Sequence, residues 1–304
     1  MSICDDMQKI PLPRYLREHG DKIRHIFVNA GKNADRWQYD ASDWQNEFKG
    51  NSELSGDLSE IMKKCPDRII TRSHVQSYAC KIRSGSYQDI RRLFLACMIW
   101  GYGPDPNGPH NTNQALSDRR LKAVLEKSVE RIRNTQIKEA YEGFDLNNCG
   151  PAFFTKFFYF VGHEHHVKPL PLILDRHVAN FLRFLGGEEG WDLSLFAKTS
   201  PKGYVKHYPK GYVQYICSMD DWAEGLRCSA ADNIEYFMYK RDNELEKALG
   251  EVDGEGNPKV PIIYRRDGAY CLWCDAFLAS PEPGAGFTLD KIKRIVWRHG
   301  CYDC

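Results

Sequence analysis

The chain has 304 residues, 42% of them apolar and 12% aromatic, and a formal charge of +1. That balance excludes a disordered polar chain, and no apolar run approaches the roughly 18 residues of a membrane span. A charge near zero also excludes a uniformly basic wrapper of nucleic acid, although DNA binding needs only a local basic face.

The opening MSICDDMQKIPLPRYL lacks the basic-then-apolar layout of a secretion signal, so a cytoplasmic protein is expected. In a reducing compartment its eleven cysteines read as core thiols and metal ligands rather than bridges. Next comes HIFVNA at 25–30, the one plausible early strand, which could equally begin a helix. Helical spacing of apolar residues then marks 58–64, 88–100, 116–143, 151–161, 176–185, 219–226 and 232–249. Between Lys63 and Arg92 eight cations face two acids, which reads as a DNA-facing patch or a solvated helix face. Two irregular loops are expected: GYGPDPNGPHNTN at 101–113, and 198–214, where PKGYV occurs twice. The Gly- and Pro-containing stretch 249–261 reads as a linker, placing a helical domain over 1–250 and a small module over 251–304.

The most informative stretch is 137–182. A first helix ends near Gly143, and the connection Leu146-Asn147-Asn148-Cys149-Gly150 offers Asn and Gly for left-handed backbone. Pro151 suits the first position of the next helix, where its missing N–H costs nothing. That helix is strongly apolar and is interrupted by one cation, Lys156, which must reach water or a partner. After HEHHVKPLPLIL, read as a solvated loop into a Pro-containing segment, Asp175 opens DRHVANFL as a favoured N-cap.

This layout resembles the helix-hairpin-helix, Gly/Pro-rich loop and aspartate superfamily of DNA glycosylases, and most closely its 8-oxoguanine glycosylase-like bacterial branch. The hairpin at 137–162, Thr155-Lys156, Asp175 at 19 residues beyond the lysine, and His177 two further on carry the resemblance. It implies a mainly α fold and an enzyme that flips a modified base out of DNA and excises it, leaving an abasic site. Catalysis would fall to Asp175, stabilising positive charge on the sugar, and to Lys156, whose amine can attack C1′. Counted from Gly150, the family's lysine position falls at Ala152, so Lys156 stands one turn deeper. It is either the nucleophile of a glycosylase/lyase or a structural residue in a monofunctional enzyme. Asn147, Asn148, Cys149 and Gly150, with His177, would contact DNA, largely through main-chain amides. Trp100, Tyr159 and Trp222 are candidates for stacking on the flipped base.

At the C-terminus, Cys271-x2-Cys274 and Cys301-x2-Cys304, separated by 26 residues, suit a structural tetrahedral Zn2+. A module this small could hardly fold on an apolar core alone. RRDGAYCLWC also looks like the opening of a treble-clef module of the HNH nuclease type, but Leu289-Asp290-Lys291 lacks the histidine that such nucleases need. The expected partner is therefore DNA containing a modified base, with no membrane and no protein partner implied. The base is either an oxidised purine such as 8-oxoguanine, a repair substrate, or a hypermodified phage base such as glucosylated hydroxymethylcytosine, a target of antiviral defence. The alternative is a DNA-binding protein that uses hairpin and zinc module without catalysis.

Overall fold

The computed structural model describes residues 3–27, 36–200 and 203–250 together with strands at 262–265, 268–271 and 277–279, and side chains as far as residue 243. Among these residues the chain is mainly helical, and no helix is long and apolar enough to cross a membrane. It divides into two units, Met1–Met238 and Tyr239–Cys304.

The first unit opens with two short helices, α1 (Arg14–Glu18) and α2 (Gly20–Arg24). A two-residue ribbon pairs β1 (Trp37–Gln38) with β2 (Ile69–Ile70) around α3 (Ala41–Phe48) and α4 (Ser52–Lys64). These helices start where side chains satisfy the first amides: Asp40 accepts from Ser42 N, and Asn51 from Leu54 N. Then follow α5 (Arg72–Ala79), α6 (Tyr87–Tyr102), α7 (Gly108–Leu116), α8 (Leu121–Arg133) and α9 (Ile137–Glu142). The central helix is α10 (Pro151–Glu164), packed against α5, α6 and α8. Its phenylalanines build the core: Phe154 stacks on Phe144 at 4.8 Å, and Phe157 meets Phe94 edge-on at 5.7 Å. The unit closes with α11 (Arg176–Glu189), α12 (Pro209–Leu226) and the start of α13 (Asp232–Gly250).

Several expectations need correction. The stretch 101–113 is irregular only in part, because α7 begins at Gly108 with Pro109 in its first turn, a position proline tolerates. The same rule separates the two PKGYV echoes. The second starts α12 with Pro209, whereas Val205 of the first pairs with Thr199 in an isolated bridge. The long helix read over 116–143 is broken, Thr135 between α8 and α9 taking φ 61°. The basic stretch is largely committed within the chain. Asp57, fully buried, receives both Arg91 Nε at 2.8 Å and Arg92 Nη2 at 2.9 Å; Arg83 pairs with the buried Glu164, and Lys63 with Glu60. The histidines after it are not one solvated loop either, since His163 and Glu164 complete the last turn of α10.

The cysteines depart too. Cys4 and Cys217 form a disulfide, fastening an N-terminal strap to α12. The strap continues through Gln8, whose amide and carbonyl both bond the Gln214 side chain, to Ile10, whose carbonyl accepts from Trp222 Nε1–H at 2.9 Å. The candidate strand at 25–30 lies partly outside the described residues. In the second unit, β3 (Ile262–Arg265), β4 (Gly268–Cys271) and β5 (Phe277–Ala279) form an antiparallel sheet in that order. Cys271 ends β4; Cys274, Cys301 and Cys304 lie outside the described residues.

Candidate active site

Two side chains expected to carry chemistry meet at one place. Lys156 enters from the second turn of α10 and Asp175 from the N-cap of α11, with Lys156 Nζ 3.6 Å from Asp175 Oδ2. Both are largely but not wholly buried, their side chains 10% and 13% exposed, so the pair can be reached from outside. The lysine curls back along its own helix, as helical side chains do. Its Nζ donates to Ala152 O at 2.7 Å, one turn N-terminal to its own backbone. Gly101 makes room for this course: a Cβ there would stand 3.0 Å from Lys156 Cδ and 3.2 Å from Phe153 Cδ1.

Asp175 is fixed from several sides. Its Oδ1 accepts from Val178 N at 3.1 Å, closing the α11 N-cap. Burial pushes its carboxyl up, but the charge of Lys156 first, then His177 and the α11 amides, hold it below the ordinary carboxylate range. The approach to Asp175 is clamped residue by residue. Pro171 lies against Gly162 of α10, where a Cβ would come within 2.4 Å of its ring. Leu172 O accepts from Tyr212 OH at 2.8 Å and Ile173 O from Tyr215 OH at 2.9 Å, both tyrosines buried on α12. Leu174 N donates at 3.2 Å to Thr155 Oγ1, whose own proton goes to Pro151 O at 2.6 Å. The carboxylate thus stands on a segment tied to the helix that carries the lysine.

The connection between α9 and α10 turns through Asn148, which takes the left-handed φ of 52° that asparagine tolerates. Gly150 does not, at φ −77°, and a Cβ built on it would touch nothing within 4 Å. Neither conformation nor packing inside the chain therefore demands glycine there. Two of the expected hairpin amides are used internally. Cys149 N donates to Leu146 O at 3.2 Å, and the Asn147 amide supports the carboxylate of Asp118, which Arg120 above all holds well below its usual range. Burial pushes the Cys149 thiol up, removing it from reactivity. A depression of about 490 Å³ opens here, lined by Asp145, Asn148, Gly150, Pro151 and His207 among others.

Of the three candidate stacking residues, the structure brings two together. Trp100 lies 6.0 Å from Lys156 Nζ, and Tyr159 and Trp100 both face Arg72. Trp222 stands apart, its ring against Trp191 and Phe196 beneath the N-terminal strap. His177 occupies the first turn of α11, half-buried beside Asp175. Among the described residues no group of side chains could hold a metal ion. Sequence reasoning missed Gly101, Thr155, Gly162, Tyr212 and Tyr215. Glycines inside two strongly apolar helices, and tyrosines three apart on one helix face, were the available signals.

Residues 31–239, more than half of the chain, match the family described as "Putative 8-oxoguanine DNA glycosylase OGG-like protein". No curated protein and no solved structure matches significantly.

Proposed function

Since the chain belongs to the 8-oxoguanine DNA glycosylase OGG-like family, we propose that it is a DNA N-glycosylase that flips a modified base from the duplex and cleaves its bond to the sugar at the Lys156–Asp175 pair. The observation that carries this reading is the meeting of these two groups, amine and carboxylate 3.6 Å apart, at the junction of α10 and α11. As the glycosidic bond breaks, its electron pair leaves with the base and positive charge grows on the sugar. A fixed carboxylate in a site with little water stabilises that charge. The Lys156 amine then forms the N–C1′ bond and gives up a proton to the departing base, and a Schiff base to the opened sugar follows.

The bond from Lys156 to Ala152 O supports the lysine as nucleophile. Lys156 starts one turn too deep, yet its amine returns to the level of Ala152, where the family lysine stands. For the DNA backbone, the amides of Asn148 and Gly150 are the proposed phosphate donors at the helix-hairpin-helix. Asn147 and Cys149 then shape the turn rather than bind. A glycine that nothing in the chain requires suits close approach of a phosphate to the main chain. Trp100 and Tyr159 would wall the base pocket. The spacing of Cys271, Cys274, Cys301 and Cys304 supports a structural Zn2+, to be checked by metal content per chain. The substrate is proposed to be an oxidised purine or a hypermodified phage base.

Duplexes bearing single modified bases, followed by mass detection of free base and alkaline cleavage of abasic sites, test the reaction. Base release lost in Asp175→Asn, with DNA binding retained, is the expected result. A borohydride-trapped adduct present in the unaltered protein and absent in Lys156→Ala supports lyase chemistry. Binding without release of any base would favour a non-catalytic role, and metal-dependent strand cutting that survives Asp175→Asn would favour a nuclease.

A further inference from the structure

One buried charge cluster beside the pair is not used by the reaction just described. Arg72, the first residue of α5, sends its guanidinium into a box of four rings. Its Cζ lies 5.4 Å from the ring centres of Phe27 and Trp100, 4.9 Å from Tyr159 and 5.3 Å from Tyr236. Phe27 and Tyr236 stack on each other at 4.9 Å with planes only 3° apart. Two carboxylates from α13 complete the cluster. Glu235 Oε2 stands 3.7 Å from Arg72 Nη2, and Asp232 Oδ2 accepts from Tyr159 OH at 2.8 Å. Glu235 is 2% exposed, while Arg72 keeps 12% of its side chain open.

Taking these charges out of water is expensive, and apolar residues of the same volume would commonly be as stable. Clusters of this kind concentrate at functional sites. Position links this one to the chemistry. The Trp100 ring is shared, with Arg72 on it and Lys156 Nζ 6.0 Å from its centre, and Tyr159 follows Lys156 by three residues on the same helix face. A flipped nucleotide with its sugar against Lys156 would therefore extend its base along Trp100 towards Arg72.

We infer, on the basis of the glycosylase reading, that Arg72 and Glu235 form the recognition edge of the base pocket and select a base of the guanine class, oxidised guanine included. The guanine pairing edge offers one carbonyl oxygen beside two N–H groups. An arginine fork donates to the carbonyl, as it does when proteins read guanine in DNA, and the Glu235 carboxylate accepts from N1–H and N2–H. Two carboxylates to one guanidinium make the cluster rich in acceptors, which matches an edge rich in donors. The cytosine edge, one donor beside two acceptors, is the poorer complement. The rings hold the guanidinium plane and leave only its edge to bond.

Binding is measured by fluorescence anisotropy in the Asp175→Asn protein on three duplexes that differ at one nucleotide: 8-oxoguanine, glucosylated 5-hydroxymethylcytosine and a tetrahydrofuran abasic analogue. The 8-oxoguanine duplex is expected to bind at least about tenfold tighter than the modified cytosine. Arg72→Gln and Glu235→Gln should each weaken it about tenfold, or 1.4 kcal/mol, and leave the abasic duplex within about twofold. Arg72→Lys, which keeps the charge but not the fork, should fall between. An equal loss on all three duplexes with a lowered melting temperature marks Arg72 as structural and overturns the inference. So does a preference unchanged by Arg72→Gln, or a preference for the modified cytosine. If no duplex loses its base to the unaltered protein while the Arg72-dependent preference persists, recognition stands and the glycosylase reading fails.

Discussion

Replacing Thr155 by valine tests how Asp175 is held. The side chain is fully buried, and its hydroxyl bridges Leu174 N at 3.2 Å and Pro151 O at 2.6 Å. Valine has the same shape, so no cavity opens, but the buried Leu174 amide loses its acceptor. A buried donor left without a partner costs about 1–3 kcal/mol, and each kcal/mol lowers the melting temperature of a chain this size by roughly 2–4 °C. A fall of about 4–8 °C, the middle of that range, is expected. Because Leu174 directly precedes Asp175, the carboxylate should drift as well. Misplacement by about 1 Å can cost on the order of a hundredfold in rate, so single-turnover base release should drop by about ten- to a hundredfold while DNA affinity changes little. Thr155→Ser restores the oxygen and should stay within about 1 kcal/mol of the native protein with near-native rates. Equal behaviour of the valine and serine variants, or a valine variant with unchanged melting and turnover, would refute the hydroxyl bridge as the positioning element.

Three further outcomes are expected. The Asp175 carboxyl titrates below its ordinary range in the folded protein, so its contribution to stability is present above the unfolded pKa of about 4 and lost as pH falls through the folded value. The stability gap between the native protein and Asp175→Asn, measured by urea unfolding, should be constant from about pH 5 to 7 and close below about pH 4; a gap that widens in acid has the wrong sign. Gly101→Ala should push Lys156 aside by a few tenths of an ångström while strengthening α6 by up to about 1 kcal/mol. Borohydride trapping should therefore slow without loss of melting temperature, and unchanged trapping would remove Gly101 from the site. Reduction of Cys4–Cys217, which spans 213 residues of sequence, should cost about 2–4 kcal/mol. Cys4→Ser should melt at the reduced temperature with or without dithiothreitol, and a native melting curve unaffected by reductant would contradict the bridge.

What the sequence made legible was local. Pro151 beginning α10, Asp175 capping α11 and the apolar face of α10 are all written within a few residues, so spacing alone located Lys156 and Asp175 on their elements. What it hid was pairing across distance. The cations at 63–92 read as a surface because their acids, Asp57, Glu53 and Glu164, lie on other elements and are met only after folding. Thr155 looked like part of an apolar helix, yet its partner is Leu174, and Tyr212 and Tyr215 meet carbonyls some forty residues earlier. Trp222, a fair candidate by residue type, turned towards Ile10 instead. Prolines misled in both loops because the same residue ends one helix and opens another.

The N-terminal strap bears on where this enzyme's working parts begin. Residues 4–10 grip one side of α12, through Gln214, Cys217 and Trp222, while Tyr212 and Tyr215 of the same helix brace the carbonyls leading to Asp175. The helix is thus a beam anchored along its length by a segment that the family match, starting at residue 31, leaves out. Proteolytic nicking or trimming ahead of that point would strip the anchor while sparing every residue that touches DNA, and slackness would reach the aspartate through the two tyrosines.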